Sequence, residues 1–125
     1  MKRIKIFISS VQSEFAQERE MLCQYIRTDA LLGKFFEPFI FEDVPANEYP
    51  ANHVYLREVE LCDIYLGLFG NLYGYEDIEG VSPTEREYDL AATLHKSRLI
   101  YIKAINENER HPKETALIRK VEQDI

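Results

Sequence analysis

The stretch RIKIFIS, residues 3–9, alternates basic and apolar positions and then turns wholly apolar, as a strand does when both of its faces become buried. Beyond it, Val11, Phe15, Leu22, Tyr25 and Ile26 form an apolar stripe at helical spacing. The stripe predicts one long helix from about Val11 to Leu32, with Ser9 and Ser10 as caps and Gly33 as the stop. FEPFIFE, residues 36–42, predicts a second strand, placed at a sheet edge by Pro38, which cannot donate to a neighbouring strand. DVPANEYPANH, residues 43–53, reads as a surface loop. A short helix through Tyr55 to Cys62 then leads into DIYLGLFG, residues 63–70, the most apolar strand of the chain. A glycine-punctuated loop, NLYGYEDIEGVS (71–82), precedes a helix from Pro83 to about His95. The strand RLIYIKA (98–104) and a helix over Lys113 to Gln123 complete the pattern.

Strand and helix alternate throughout, and the strands are continuous apolar runs. That pattern predicts an α/β domain with a mainly parallel sheet of four to five strands and helices on both faces. A chain of 125 residues supports one core and therefore one domain. It stops at Asp124 and Ile125, within or just after a helix and without a polar tail. The expectation is an excised N-terminal part of a larger protein.

Charge narrows the partners. Between Glu37 and Asp89 there are 13 acids against two bases, a local charge of −11, while the remainder carries nine acids against 13 bases, or +4. A field of that sign repels a phosphate backbone, and no basic stripe with interleaved aromatics stands elsewhere, so direct nucleic-acid binding is not expected. A basic protein partner, or the +4 portion of a second copy, would complement it. No apolar run reaches the length of a membrane span. Cys23 and Cys62 have no metal-ligand or redox spacing and read as reduced, buried thiols of a cytoplasmic protein. His53, His95 and His111 form no catalytic or metal arrangement, so no metal is expected.

One helix carries a carboxylate on its apolar side. In GVSPTEREYDLAA, residues 80–92, Ser82 is a natural N-cap, Pro83 suits the first helical position and Glu85 falls where a capping box wants it. Glu87 has no such role. Leu90, Ala91 and Leu94 follow it at three, four and seven residues, so it shares the face that should meet the core.

Open α/β sheets bind ligands beyond the carboxyl ends of their strands. Residues 9–12, 42–49 and 69–87 should converge there, bringing Ser9, Ser10, Asp43, Phe69, Gly70 and Tyr73 toward Glu87. A fixed carboxylate beside a ribosyl ring can stabilise the positive charge that develops as an N-glycosidic bond breaks, or attack the anomeric carbon. Tyr73, Tyr75 or Phe69 would stack a base, and Ser9 or Ser10 would hold a phosphate or ribose at a helix N-terminus. Structural readings stand beside these. Glu87 would pair with a neighbouring base or reach solvent, the serines would cap, and the tyrosines would pack. No Gly-x-Gly-x-x-Gly or Walker-type loop, receiver-type acidic cluster or nucleophile elbow is present.

IFISSVQSEFAQERE, FEPFIFEDVPA, VYLREVELCDIYLGLFGNLYG and GVSPTEREYDLA, followed by SRLIYIK, resemble the domain-of-unknown-function family 4062. That family looks like a branch of the TIR-like and nucleoside deoxyribosyltransferase-like superfamily. The resemblance implies a flavodoxin- or TIR-like three-layer fold at the N-terminus of a larger protein, ahead of signalling or regulatory modules. PTEREYDLA is similar to the Gly-Thr-x-x-Glu-x-x-x-Ala pattern of deoxyribosyltransferases, with Thr84, Glu87 and Ala91 matching and Pro83 replacing the glycine. By that resemblance Glu87 is the nucleophile or charge stabiliser, and Thr84 orients it. TIR-like domains include hydrolases and binding modules. The implied functions are therefore a nucleotide-sensing or signalling module that self-associates, a glycosidase acting on NAD or a nucleoside, or the regulatory domain of a transcription-associated protein. None requires a cofactor; NAD or a related nucleotide would be substrate or ligand.

Overall fold

The computed structural model describes residues 2–40, 51–104 and 107–124. Four strands form one parallel sheet: β1 (Ile4–Ser9), β2 (Phe36–Phe39), β3 (Ile64–Phe69) and β4 (Ser97–Ile102), in the order β2-β1-β3-β4. Among the described residues five α-helices connect and flank them: α1 (Gln12–Thr28), α2 (Leu32–Phe35), α3 (Ala51–Leu61), α4 (Pro83–Thr93) and α5 (Pro112–Gln123). The α/β class, the parallel sheet and the helices flanking it are as the alternation predicts. Pro38 lies opposite Ile6 on the edge strand β2, where its missing N–H costs no ladder bond.

The pleat sends alternate residues of β1 into two cores. Ile6 and Ile8 join Cys23 and Ile26 of α1 on one side of the sheet. Phe7 points to the other, where Tyr65, Phe69, Tyr88, Leu117 and Val121 pack. Phe7 stacks on Phe39 and Tyr65, with ring centroids 5.6 and 6.4 Å apart, and Tyr88 meets Tyr65 edge-on at 5.9 Å. Both central strands are thus buried on two faces. The edge strand β4 is not: Leu99 and Tyr101 remain exposed, although its sequence is as apolar as the others.

The first helix departs from expectation in three ways. It ends at Thr28 because the Asp29 carboxylate accepts from the N–H groups of Leu31 and Leu32, an alternative to continuing the helix. Gly33 is not the stop but lies within α2, where a Cβ would collide with the carbonyl of Arg27. Its buried face is Phe15, Arg19, Cys23 and Ile26, with a kink at Phe15, and Tyr25 turns out to solvent. In α4 the buried positions are Thr84, Glu87, Tyr88 and Ala91, while Leu94 is exposed past the helix end. Both cysteines are buried free thiols. Among the described residues no helix is long and apolar enough to cross a membrane.

Candidate functional site

Ser82 caps α4 by accepting from the Glu85 N–H at 3.2 Å, and Pro83 opens the first turn as its fixed φ allows. The reciprocal half of the capping box is replaced. The Ser82 N–H donates to the Tyr73 hydroxyl at 3.2 Å, and that hydroxyl donates to Glu85, which also binds Lys120. This anchoring sets the rotation of α4, so that Glu87, one turn further, faces the carboxyl end of β1.

There Glu87 is 6% exposed, and its Oε1 accepts a 2.7 Å hydrogen bond from the Ser9 hydroxyl. Oε2 accepts no hydrogen bond from the described residues. Arg19, which lies at helical spacing between Phe15 and Cys23, is buried beneath the same strand end. Its Nη1 donates to the Ser10 hydroxyl at 2.9 Å and to the Ile8 carbonyl at 3.3 Å. Burial pushes the Glu87 carboxyl up to about 7; the Ser9 hydrogen bond and the Arg19 charge pull the other way without cancelling it. A carboxyl whose titration is raised toward neutral pH therefore sits near a positively charged neighbour.

Of these groups Ser10, Arg19 and Glu87 line a cavity of about 360 Å³. Thr84 lines it as well, and Tyr75, largely exposed, stands at its rim. Thr84 is 4% exposed, yet its hydroxyl bonds to no described residue. The cavity thus presents two polar atoms without a partner among the described residues, Glu87 Oε2 and Thr84 Oγ1. A ligand of this size is met by a carboxylate, hydroxyls and an apolar wall that includes Phe7.

Of the sequence-derived site residues, Ser9, Ser10, Thr84 and Glu87 come together. The two serines are not caps: the N-cap of α1 is Val11, without a side-chain hydrogen bond, and both hydroxyls are engaged by Glu87 and Arg19 instead. Phe69, Gly70 and Tyr73 do not line the cavity. Phe69 is fully buried against Tyr88. Gly70 is pressed between carboxylates, its N–H donating to Glu114 at 3.2 Å and the space of a Cβ taken by Glu14. Tyr73 is buried with its ring stacked on His111 at 5.8 Å, which leaves it no part in the cavity wall. Asp43 lies outside the described residues. Arg19 was missed, and its signal was the one that singles out Glu87: a charged residue at core spacing. A further buried carboxyl, Glu114, also stands at about 7 through burial, but it braces the Gly70 backbone away from the cavity.

Comparison with known proteins bears on the fold. A 2-desoxiribosyltransferase from Leishmania mexicana superimposes with a TM-score of 0.52 at 18% identity, covering 79% of this chain and 64% of that one. The chain thus spans less than two thirds of the transferase. A CMP N-glycosidase, BcmB, from Clostridium botulinum superimposes with a TM-score of 0.49 at 13% identity, over 95% of this chain and 98% of that one. At these identities the likeness is one of fold. No curated protein sequence matches. Residues 5–125 match the family described as Domain of unknown function (DUF4062), and the chain belongs to that family.

Proposed function

We propose that this domain binds a nucleoside or nucleotide in the Glu87 cavity and acts on its N-glycosidic bond. The observation that carries the reading is the buried Glu87 carboxyl, held by Ser9 at 2.7 Å and lining a cavity with Oε2 unpartnered among the described residues. The transferase that shares this fold is, by its description, an enzyme of 2-deoxyribosyl transfer.

In the proposed reaction the bond from the sugar C1′ to the base nitrogen breaks, and the base leaves with the electron pair. The ionised Glu87 stabilises the positive charge on the ribosyl ring, or bonds to C1′ through Oε2. Water then adds its oxygen to C1′, displacing the Glu87 carboxylate with its electron pair where that bond has formed, and the water's proton passes to the base or solvent. Arg19 and Ser9 keep Glu87 partly ionised at neutral pH against the cost of burial. No cofactor takes part. The test is release of nicotinamide from NAD, and of free base from nucleosides and nucleotides, by the purified domain and by Glu87→Gln. Release that is lost in the variant supports the reading; equal release from both would end it.

A second reading, an interaction module that self-associates, draws on β4. No described strand pairs with its outer edge, and Leu99 and Tyr101 are exposed along it. Sedimentation that shows a monomer at every concentration and salt would count against it.

A further inference from the structure

The loop between β3 and α4 is anchored on both sides of Tyr75; Ile78, three residues on, is its other strongly exposed apolar side chain. Tyr73 is buried by its ring and fixed by its hydroxyl. Glu76 binds Lys113, which also donates to the Gly80 carbonyl at 2.8 Å. The Asp77 carboxylate accepts from the N–H groups of Glu79 and Val81 at 2.9 and 3.0 Å and pairs with Arg86 at 3.0 Å. Gly74, with φ +94°, makes the turn that an L side chain resists, and a Cβ there would crowd Val11 at 3.2 Å. Only glycine brings the loop this close to the start of α1. Between these anchors Tyr75 is 83% exposed, and among the described residues no ring packs on it. Its exposure therefore does not come from a loose loop: side-chain anchors at Tyr73 on one side and at Glu76 and Asp77 on the other flank it, and its ring lines the rim of the Glu87 cavity.

Resting on the proposed N-glycosidic reading, we propose that Tyr75 is the stacking platform for the planar base of the ligand. The ligand then enters sugar-first. The floor offers what a ribosyl ring needs, with the unpartnered Thr84 hydroxyl, the Ser10 hydroxyl and the Glu87 carboxyl. The rim offers what a heteroaromatic base needs, an aromatic face that loses its water on stacking. The other two aromatics on this stretch have no such face to give: Phe69 is enclosed in the core and Tyr73 stacks on His111. The ligand class is accordingly a nucleoside or nucleotide, not a simple sugar or an alkyl glycoside. Specificity for the base lies in the β3–α4 loop, while the sugar is read by α4 and the end of β1.

The test is saturation-transfer NMR with adenosine, cytidine and ribose on the wild-type domain, Tyr75→Ala and Tyr75→Phe, each checked for fold by circular dichroism. Base protons should receive the strongest transfer, and adenosine should bind more tightly than ribose. Tyr75→Ala should weaken adenosine roughly tenfold, while Tyr75→Phe stays within about twofold, because the ring face and not the hydroxyl is used. Equal adenosine affinity in wild type and Tyr75→Ala would overturn the proposal, as would no saturable binding of either nucleoside to the wild type. Tyr75-dependent binding without any base release would leave this inference standing and remove the glycosidase reading. Base release with a KM untouched by Tyr75→Ala would do the reverse.

Discussion

Replacing Glu87 by Gln should stabilise the fold, and by an amount that depends on pH in a defined direction. The side chain keeps its shape, and the Ser9 hydroxyl can still donate to the amide oxygen, so what changes is the ability to ionise. In the unfolded chain Glu87 releases its proton near the ordinary value of 4.5, whereas in the folded domain burial holds it to about 7. Between those values the unfolded state binds fewer protons, so stability falls as pH rises. Below 4.5 both states are protonated and the effect vanishes; above about 7 it is complete. The interval corresponds to roughly 3 kcal/mol, at about 1.4 kcal/mol for each pH unit. Urea unfolding of both proteins, followed by circular dichroism from about pH 4 to about pH 8, reads this directly. The stability of Glu87→Gln relative to wild type should climb by up to roughly 3 kcal/mol across that range. Glu114 titrates in the same window, but it is present in both proteins and drops out of the difference. A relative stability that is flat with pH would refute the argument, because it would mean that the folded domain ionises Glu87 as readily as the unfolded chain does. A stabilised but inactive variant is the signature of a group kept for function at the expense of the fold.

Other outcomes follow from the same geometry. If Glu87 must be ionised to act, kcat/KM for base release should rise with pH and level off above about 7, and a profile that is flat across neutrality would contradict this. Ser9→Ala removes the 2.7 Å hydrogen bond that favours the carboxylate, so it should move that rise to higher pH and cost about 1 kcal/mol of stability, measured by denaturant titration. Arg19→Met strands the carbonyl of Ile8 and the Ser10 hydroxyl and withdraws a positive charge from Glu87; it should destabilise by roughly 2–4 kcal/mol and shift the profile in the same direction as Ser9→Ala. Leu117→Ala opens the core beneath α5, a helix that contributes no residue to the cavity wall, and should cost roughly 2–5 kcal/mol in thermal or urea unfolding while leaving the pH of half-maximal activity in place.

How much of this was legible in the chain varies residue by residue. Thr84 was legible only through the resemblance of PTEREYDLA to the deoxyribosyltransferase pattern. Glu87 was legible because a helix repeats its face locally, and neighbours at the right spacing show which way a side chain points. Arg19 was legible by the same rule and was passed over in favour of Tyr25, which the Asp29 turn and the kink at Phe15 leave on the solvent side. Phe69, Gly70 and Tyr73 were chosen by proximity in sequence to the end of β3. Proximity there does not decide direction, since a strand sends successive residues to opposite faces and a loop's path is set by what it meets. Tyr73 went under the N-terminus of α4, and only its neighbour but one reached the rim.

The amino-acid sequence by itself determined the alternation of strand and helix, the parallel sheet, the edge position of Pro38 and the buried side of α4, all of which depend on periodicities and on turn chemistry within a few residues. Only the tertiary structure decided that the hydroxyl meeting Glu87 belongs to Ser9, 78 residues away, that Arg19 lies beneath them both, and that Tyr75 remains outside while Tyr73 is enclosed. Those outcomes depend on how β1, α1 and α4 come together, and the burial that lifts the Glu87 carboxyl exists only once they have.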